Sequence, residues 1–341
     1  MAVEPNTLTA LEFSLLNDYQ RNFPLVPRPF QALAQSLGMD AHTVIGTLQS
    51  LQARGYISRV GGVFRPNVVG VSALAALAVP PARLEQVAAW VSACAEVNHN
   101  YQREHRYNLW FVAAAADAHA LQAVWARIAA HCACGAVLVL PLAEQFHIDL
   151  GFALDQPHAQ PHATNPAAGM AAQPGVAALQ LKPEDRDFIA RLQQGLPWVA
   201  QPYAALGRDE GAAISLLAHW LHAGVLKRFG VVVRHHELGY TANAMVVWDV
   251  PDAEVSALGR TIAASGCVSL CYRRPRQLPQ WPYNLFCMLH GKDRSAVEAR
   301  IAALEQACAM PSYPREVLFS TRRFKQCGAR YGVDAAGSAY G

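Results

Sequence analysis

The stretch His99–Phe111, HNYQREHRYNLWF, holds two histidines, two arginines, a glutamate, two tyrosines and a tryptophan in thirteen residues. A looser copy, CYRRPRQLPQWPYNLF, runs from Cys271 to Phe286, and both carry Tyr-Asn-Leu, at Tyr107 and at Tyr283. Outward from this pair the self-similarity extends along the whole sequence. Pro24 and Pro29 recur as Pro197 and Pro202, and Gly55, Arg59 and Gly61 recur at an offset of 169 as Gly224, Arg228 and Gly230. Val79-Pro80 recurs at an offset of 171 as Val250-Pro251, with Tyr101 matched by Tyr272, and Tyr107-Asn108-Leu109 recurs at 176. Loop insertions and deletions produce such a drift. The chain therefore reads as two copies of one unit of roughly 150 residues, an internal pseudo-dimer.

Residues 155–178, DQPHAQPHATNPAAGMAAQPGVAA, separate the copies. Rich in Pro, Ala, Gln and Gly and nearly uncharged, they read as a flexible linker with His158 and His162 solvated. Each copy has two parts. In 1–66, Leu33, Leu37, Val44, Leu48 and Leu51 recur at helical spacing, Gly38 breaks the pattern and Asp40 is a cap for the second helix. Arg59 to Phe64, with Gly61-Gly62 as its turn, reads as a hairpin. Helix, turn, helix and hairpin make a winged helix-turn-helix, repeated at 179–233 with Ile214, Leu217 and Leu221 as the apolar face. The second part, at 67–154 and at 234–330, reads β-α-β-β-α-β, the ferredoxin-like order, and 331–341 is a tail. The fold class expected is α+β.

Composition sets bounds. Of 341 residues, 52% are hydrophobic, so a well-buried globular protein is expected. No apolar run approaches the roughly 18 residues of a membrane span, and the start of the sequence does not read as a secretion signal, so a cytoplasmic protein is expected. A net charge of +3 is too mild to argue for nucleic acid. The helix after Asp40 offers Gln49, Gln52 and Arg54 toward a duplex, but Glu210 to Ala223 has neither Lys nor Arg, so DNA binding is not expected. The eight cysteines, including Cys132, Cys134, Cys267 and Cys271, form no paired zinc pattern and read as free thiols. There is no Gly-rich phosphate loop, no GxSxG and no HExxH.

The quoted stretch falls on the central hairpin of the ferredoxin-like unit. Alternation puts His99, Tyr101 and Arg103 on one face of its first strand. Aromatic walls, forked arginine donors and histidines together suit a large planar anion. The second copy adds Arg234-His235-His236, then Arg273, Arg274 and Arg276 followed by Trp281, Tyr283 and Asn284. A solvated basic hairpin stays open as the alternative.

A winged helix-turn-helix followed by a ferredoxin-like unit resembles the Lrp/AsnC architecture. HNYQREHRYNLWF, RFGVVVRHHELGYTANAMVVWDV and CYRRPRQLPQWPYNLF narrow the likeness: the protein resembles the siroheme decarboxylases, kin of AhbA/AhbB, in the fused NirDL arrangement of a NirD-like and a NirL-like half. The likeness covers all but the linker and the last ten or so residues. It implies non-oxidative loss of carbon dioxide from two acetate side chains of siroheme, giving 12,18-didecarboxysiroheme on the route to haem d1. It implies no cofactor, since the iron belongs to the siroheme substrate. The partners implied are the tetrapyrrole and other haem d1 pathway enzymes, with neither DNA nor membrane, and with homodimerisation of the pseudo-dimer left open. On this reading His99, His235, Arg103, Arg234, Tyr101 and Tyr272 are catalytic. His105, Tyr107, Asn108, Trp110, His236, Arg273, Arg274, Trp281, Tyr283 and Asn284 contact substrate, and His105 or His236 ligates its iron. A haem- or amino-acid-responsive Lrp/AsnC regulator and a haem carrier without chemistry are the alternatives.

Overall fold

A computed structural model describes residues 8–148, 179, 181–234, 242–310, 312–329 and 331. The linker reading, the tail beyond 331, and His235 and His236 lie outside the described residues. The protein divides into two compact units, one drawing on Met1–Val68 and Gly175–Leu238, the other on Val69–Leu150 and Gly239–Gly341. Like parts of the two copies thus assemble with each other.

The first unit pairs the helix-turn-helix modules. Its first copy has α1 (Ala10–Asn17), α2 (Pro29–Leu37) and α3 (Ala41–Ala53). Gly38 ends α2 at φ 68°, a left-handed turn that glycine adopts without strain, and Asp40 caps α3 by accepting from the Thr43 amide at 2.9 Å. Leu33, Val44, Leu48 and Leu51 are buried, as their spacing predicts. The second copy has α6 (Pro183–Gln194) and α7 (Glu210–His222), the latter capped by Asp209, but only a 3-10 turn at Ala204–Leu206 where α2 stands in the first.

The wing departs from expectation. Ile57–Phe64 is one continuous strand, β1, with no turn at Gly61-Gly62; it pairs antiparallel with β7 (Leu226–Val233) of the other copy. Gly61 lies directly opposite Gly230, its own repeat equivalent, so a local two-fold passes between them. The glycines are there for close approach: a Cβ on Gly61 meets the Leu192 carbonyl at 3.2 Å, and one on Gly62 meets Leu226 Cδ2 at 2.7 Å. Two of the residues offered for duplex reading, Gln52 and Arg54, are engaged within the unit. Gln52 accepts from Trp198 Nε1 at 3.1 Å and donates to the Ser58 carbonyl at 2.9 Å, while Arg54 pairs with Glu12 and lies 5.0 Å over the Tyr56 ring.

The second unit holds both ferredoxin-like parts. The first contributes β2 (Val71–Leu77), α4 (Leu84–Ala93), β3 (Val97–Arg103), β4 (Leu109–Ala115), α5 (Ala118–Cys132), β5 (Leu138–Pro141) and β6 (Glu144–Ile148). The second contributes β8 (Ala242–Trp248), α8 (Val255–Ala264), β9 (Leu270–Arg273), β10 (Leu285–Gly291), α9 (Arg294–Ala307) and β11 (Arg315–Gln326). They form one sheet, β5-β2-β4-β3-β11-β8-β10-β9-β6. The sequence places the last strands at Ala136–Leu140 and Glu316–Phe319, but both continue into the other half. In β11, Arg315–Phe319 pair with β8 of their own half, and Ser320–Gln326 pair with β3 of the first. Equivalently, β5 pairs with β2 and β6 crosses to β9. Each half has its own core on the helix-covered face: Val87, Val91 and Ile128 with Leu109 and Phe111, and Ile262, Val297 and Ile301 with Leu285 and Leu289.

Candidate active site

The faces turned away from the helices pack on one another. Ala76, Trp110, Leu138 and Leu140 of the first half cluster with Met245, Val247, Trp281, Phe286 and Leu318 of the second. Strand alternation brings His99, Tyr101 and Arg103 to this inner face, because Asn100 between them turns outward to the Ala88 carbonyl and Ser92 hydroxyl of α4. His99 stacks with Tyr101 at 6.3 Å and the Arg103 guanidinium lies 5.7 Å over the Tyr101 ring. Arg103 crosses to the other half, donating to the Leu318 carbonyl at 2.8 Å with its second nitrogen 3.9 Å from Met288 Sδ.

The second half repeats the pair. Arg274 lies 5.3 Å over Tyr272 and donates to the Leu140 carbonyl at 2.6 Å, where Leu140 stands to β5 as Leu318 stands to β11. Each half thus lends its Arg to the last strand of the other. Neither guanidinium pairs with a carboxylate among the described residues. Burial draws both down to about 10, so both stay charged at neutral pH. Burial also pushes the Tyr101 and Tyr272 hydroxyls up, keeping them protonated. A buried cation without an anion is costly, and a ligand carboxylate relieves that cost.

Desolvation pulls His99 down to about 4, so it is neutral at physiological pH. Its Nδ1 lies 2.8 Å from Asn98 Oδ1; that nitrogen carries the proton and Nε2 keeps the lone pair. His105 has the opposite tautomer. Its Nδ1 accepts from the Tyr107 amide at 3.0 Å, which places the proton on Nε2. In this tautomer His105 offers iron no free lone pair, which weighs against an axial role, and burial lowers its pKa as well.

His105, Tyr107, Trp110, Trp281 and Tyr283 do come together, as one aromatic cluster centred on Trp281. The Trp281 ring lies 5.4, 6.2, 5.1 and 5.1 Å from His105, Tyr107, Trp110 and Tyr283, edge-on to each. Trp110 Nε1 donates to the Tyr107 carbonyl at 2.6 Å, whereas the buried Trp281 Nε1 has no partner among the described residues. Asn108 and Asn284 have another task. Each accepts from one backbone amide and donates to the carbonyl of the same residue, Val79 for Asn108 and Val250 for Asn284, which removes the reason to set them against a ligand. The three arginines of the second hairpin do not converge. Arg273 pairs with Asp252 at 3.0 Å and Arg276 with Asp249 at 2.6 Å; Arg274 alone of them turns to the inner face. Arg234 belongs to the first unit, where its amide donates to the Tyr56 carbonyl.

Two inner-face residues escaped the sequence reading. His290, in the apolar run of β10, shares its face with Phe286 and Met288, and its Nδ1 is 3.0 Å from Ser269 Oγ. Arg323 stands directly opposite Tyr101 across the β3–β11 pairing. Period-two alternation next to Met288 was the available signal for His290. For Arg323 there was none, since the crossover that places it leaves no local pattern. Among the described residues no group of three or more His, Cys, Asp or Glu is placed to hold a metal ion.

Paired ferredoxin-like halves with a cationic, aromatic inner face define an AsnC-like ligand-binding protein carried on helix-turn-helix modules. A family model of the AsnC-like ligand-binding domain matches residues 69–147 and 237–325, and one of the siroheme decarboxylase NirDL-like helix-turn-helix domain matches 12–57. The protein is 43% identical over 338 residues to the siroheme decarboxylase NirDL subunit of Paracoccus denitrificans (strain Pd 1222), covering 97% of this chain and 100% of that one. It is 45% identical over 144 residues to the siroheme decarboxylase NirL subunit of Stutzerimonas stutzeri, covering 41% of this chain and 85% of the other. Its structure resembles the crystal structure of the siroheme decarboxylase NirDL in co-complex with an iron-uroporphyrin III analogue, with a TM-score of 0.65 and 28% identity over 94% of this chain and 93% of that one. The chain belongs to the NirDL-type siroheme decarboxylases.

Proposed function

We propose that the protein is a carboxy-lyase that removes two acetate carboxyl groups of siroheme, yielding 12,18-didecarboxysiroheme for haem d1 synthesis. The observation that carries this reading is the pair of inner-face Arg–Tyr units, Arg103–Tyr101 with Arg103 buried and Arg274–Tyr272 half-buried, whose guanidiniums have no carboxylate partner among the described residues. Membership of the family names the substrate. The arginines hold peripheral carboxylates by charge-assisted hydrogen bonds, and the aromatic cluster around Trp281 gives the macrocycle a flat wall. The reacting acetate sits among Tyr101, His99 and apolar neighbours, poorly solvated, which favours its loss of charge.

In the bond-breaking step the bond between the acetate methylene and its carboxylate cleaves, and carbon dioxide leaves. The electron pair stays on the methylene carbon and the conjugated ring, and a proton then completes the methyl group. His99 supplies that proton. Neutral in the free protein with its Nε2 lone pair available, it takes up a proton from solvent as the substrate's negative charge raises its pKa, then delivers it to carbon. The protein itself brings no further cofactor, because the iron arrives in the substrate. It works in the cytoplasm beside the other haem d1 enzymes, as a pseudo-dimer that can pair into a homodimer.

The test is anaerobic incubation of the purified protein with iron-loaded siroheme, following the tetrapyrrole by mass. Loss of one and then two carbon dioxide units is expected. Unchanged, bound siroheme would instead make the protein a carrier. In His99→Gln turnover should fall by at least about a hundredfold with binding retained.

A further inference from the structure

The repeat gives every inner-face residue of one half an equivalent in the other, so the two faces can be compared position by position. Tyr101 and Arg103 have Tyr272 and Arg274 as equivalents and are kept. Apolar positions such as Trp110 and Phe286 differ, and so do three that carry polar groups in at least one half. His99 corresponds to Leu270, His290 to Ala114, and Arg323, opposite Tyr101, to Gln145, which lies opposite Tyr272 in the same register. One face therefore holds two arginines, two histidines and a tyrosine; the other holds one arginine, one tyrosine and a glutamine.

His99 and Arg323 stand beside Tyr101 and His290 near Arg103, and two of the three come from the second half. Arg322 pairs with Glu85 of α4 and Phe324 packs on the first-half core, so Arg323 between them turns to the opposite side, toward Tyr101. Its charge helps hold the Tyr101 hydroxyl against the upward pull of burial. His290 lies two residues beyond Met288, whose sulfur touches Arg103, and on the same side of β10. Arg103 also opposes its protonation, after desolvation, so the two are electrostatic neighbours. The hydroxyl of Ser269, which also donates to the Met288 carbonyl at 3.1 Å, holds the His290 ring.

Resting on the decarboxylase reading, we infer that the Tyr101–Arg103 face is the reacting one and that the second half completes it: Arg323 as a second anchor for a substrate carboxylate, and His290, held by Ser269, as a positioning residue for the proton-transfer step. The Tyr272–Arg274 face then holds the macrocycle without reacting. Both acetates are lost at one place, so the once-decarboxylated tetrapyrrole must leave or turn before the second loss.

The test uses the full-length protein and reads binding and chemistry separately. Iron-uroporphyrin III titrated into Arg323→Gln should bind about tenfold to a hundredfold more weakly than into the unaltered protein, with Arg323→Lys recovering part of the loss. Gln145→Leu, the equivalent change on the other face, removes no charge and should weaken binding less than Arg323→Gln does. His290→Gln should bind iron-uroporphyrin III normally but lose about tenfold or more of the single-turnover rate on siroheme. Ser269→Ala should slow the same step, and the double variant should be no slower than His290→Gln alone, since Ser269 acts through the ring. Unchanged binding in Arg323→Gln overturns the anchor, and unchanged turnover in His290→Gln overturns the positioning role. If the unaltered protein leaves siroheme intact, the decarboxylase reading fails; the Arg323 binding result still decides the anchor by itself.

Discussion

Asn284 offers a direct way to separate a framework residue from a substrate contact. It is 1% exposed, and its amide group accepts from the Val250 N–H at 3.0 Å and donates to the Val250 carbonyl at 2.8 Å, with Val250 itself fully buried. Asn284→Ala strands both backbone groups where no water reaches them. Each unsatisfied buried group costs about 1–3 kcal/mol, so a loss of roughly 2–6 kcal/mol is expected. For a unit of this size that corresponds to a fall in Tm of roughly 4–24 °C. Urea unfolding followed by tryptophan fluorescence reads the change, since the buried Trp248 ends the strand β8 just before Val250. Affinity for iron-uroporphyrin III in the folded fraction should stay within about twofold of normal. A variant with unaltered urea midpoint but tenfold weaker ligand binding would refute the framework role and restore Asn284 to the ligand.

Two further outcomes follow from the same physical grounds. His99 and His290 are held down to about 4, whereas imidazoles of the unfolded protein protonate near 6.5. Stability should therefore be intact above about pH 6.5 and fall as the pH drops toward 4, by roughly 3 kcal/mol per histidine over that window; urea midpoints across it should flatten in His99→Gln, and an unchanged slope would contradict the assignment. In the wing, a Cβ on Gly230 runs into the Tyr19 carbonyl and the Gln20 backbone, which cannot move like a side-chain tip. Gly230→Ala should lower the unfolding free energy by about 1–3 kcal/mol, whereas Gly46→Ala in α3, with nothing within 4 Å, should raise it by about 0.5–1 kcal/mol; thermal unfolding of both variants distinguishes them.

What the sequence made legible was local. Helical spacing from Leu33 to Leu51, the Gly38 stop and the Asp40 cap each rest on a few neighbouring residues, and the α2–α3 turn follows from them. The alternation that puts His99, Tyr101 and Arg103 on one side of β3 is local too. What stayed hidden depended on the other copy. Gly61-Gly62 looked like a turn because glycine pairs usually are one; here they let two strands pass closely, and the partner strand lies 169 residues on. Ser320–Gln326 is polar but for Phe324 and shows no alternation, and Glu144–Ile148 has only Phe146 and Ile148 as apolar positions, too few to say which half it joins. Both strands' faces are set by a sheet begun elsewhere. Asn108 and Asn284 were conspicuous for being repeated, but a repeated residue marks a shared need of the fold as readily as a shared ligand. The same holds for Arg273 and Arg276, which sequence proximity grouped with Arg274 and ion pairing with Asp252 and Asp249 separates from it.

The crossover of β11 changes where the protein can be recombined. By sequence the two copies meet in 155–178, and that is where a chimera of two relatives would ordinarily be joined. By pairing, residues 320–326 belong to the first copy and 144–148 to the second. A hybrid spliced in 155–178 would set a foreign Ser320–Gln326 strand against the native β3, and a foreign residue at 323 against the native Tyr101. The modules that can be exchanged whole are therefore the first copy together with the end of β11, and the second together with β6. Substitutions along these two strands should be tolerated only alongside matching changes in the half they are lent to.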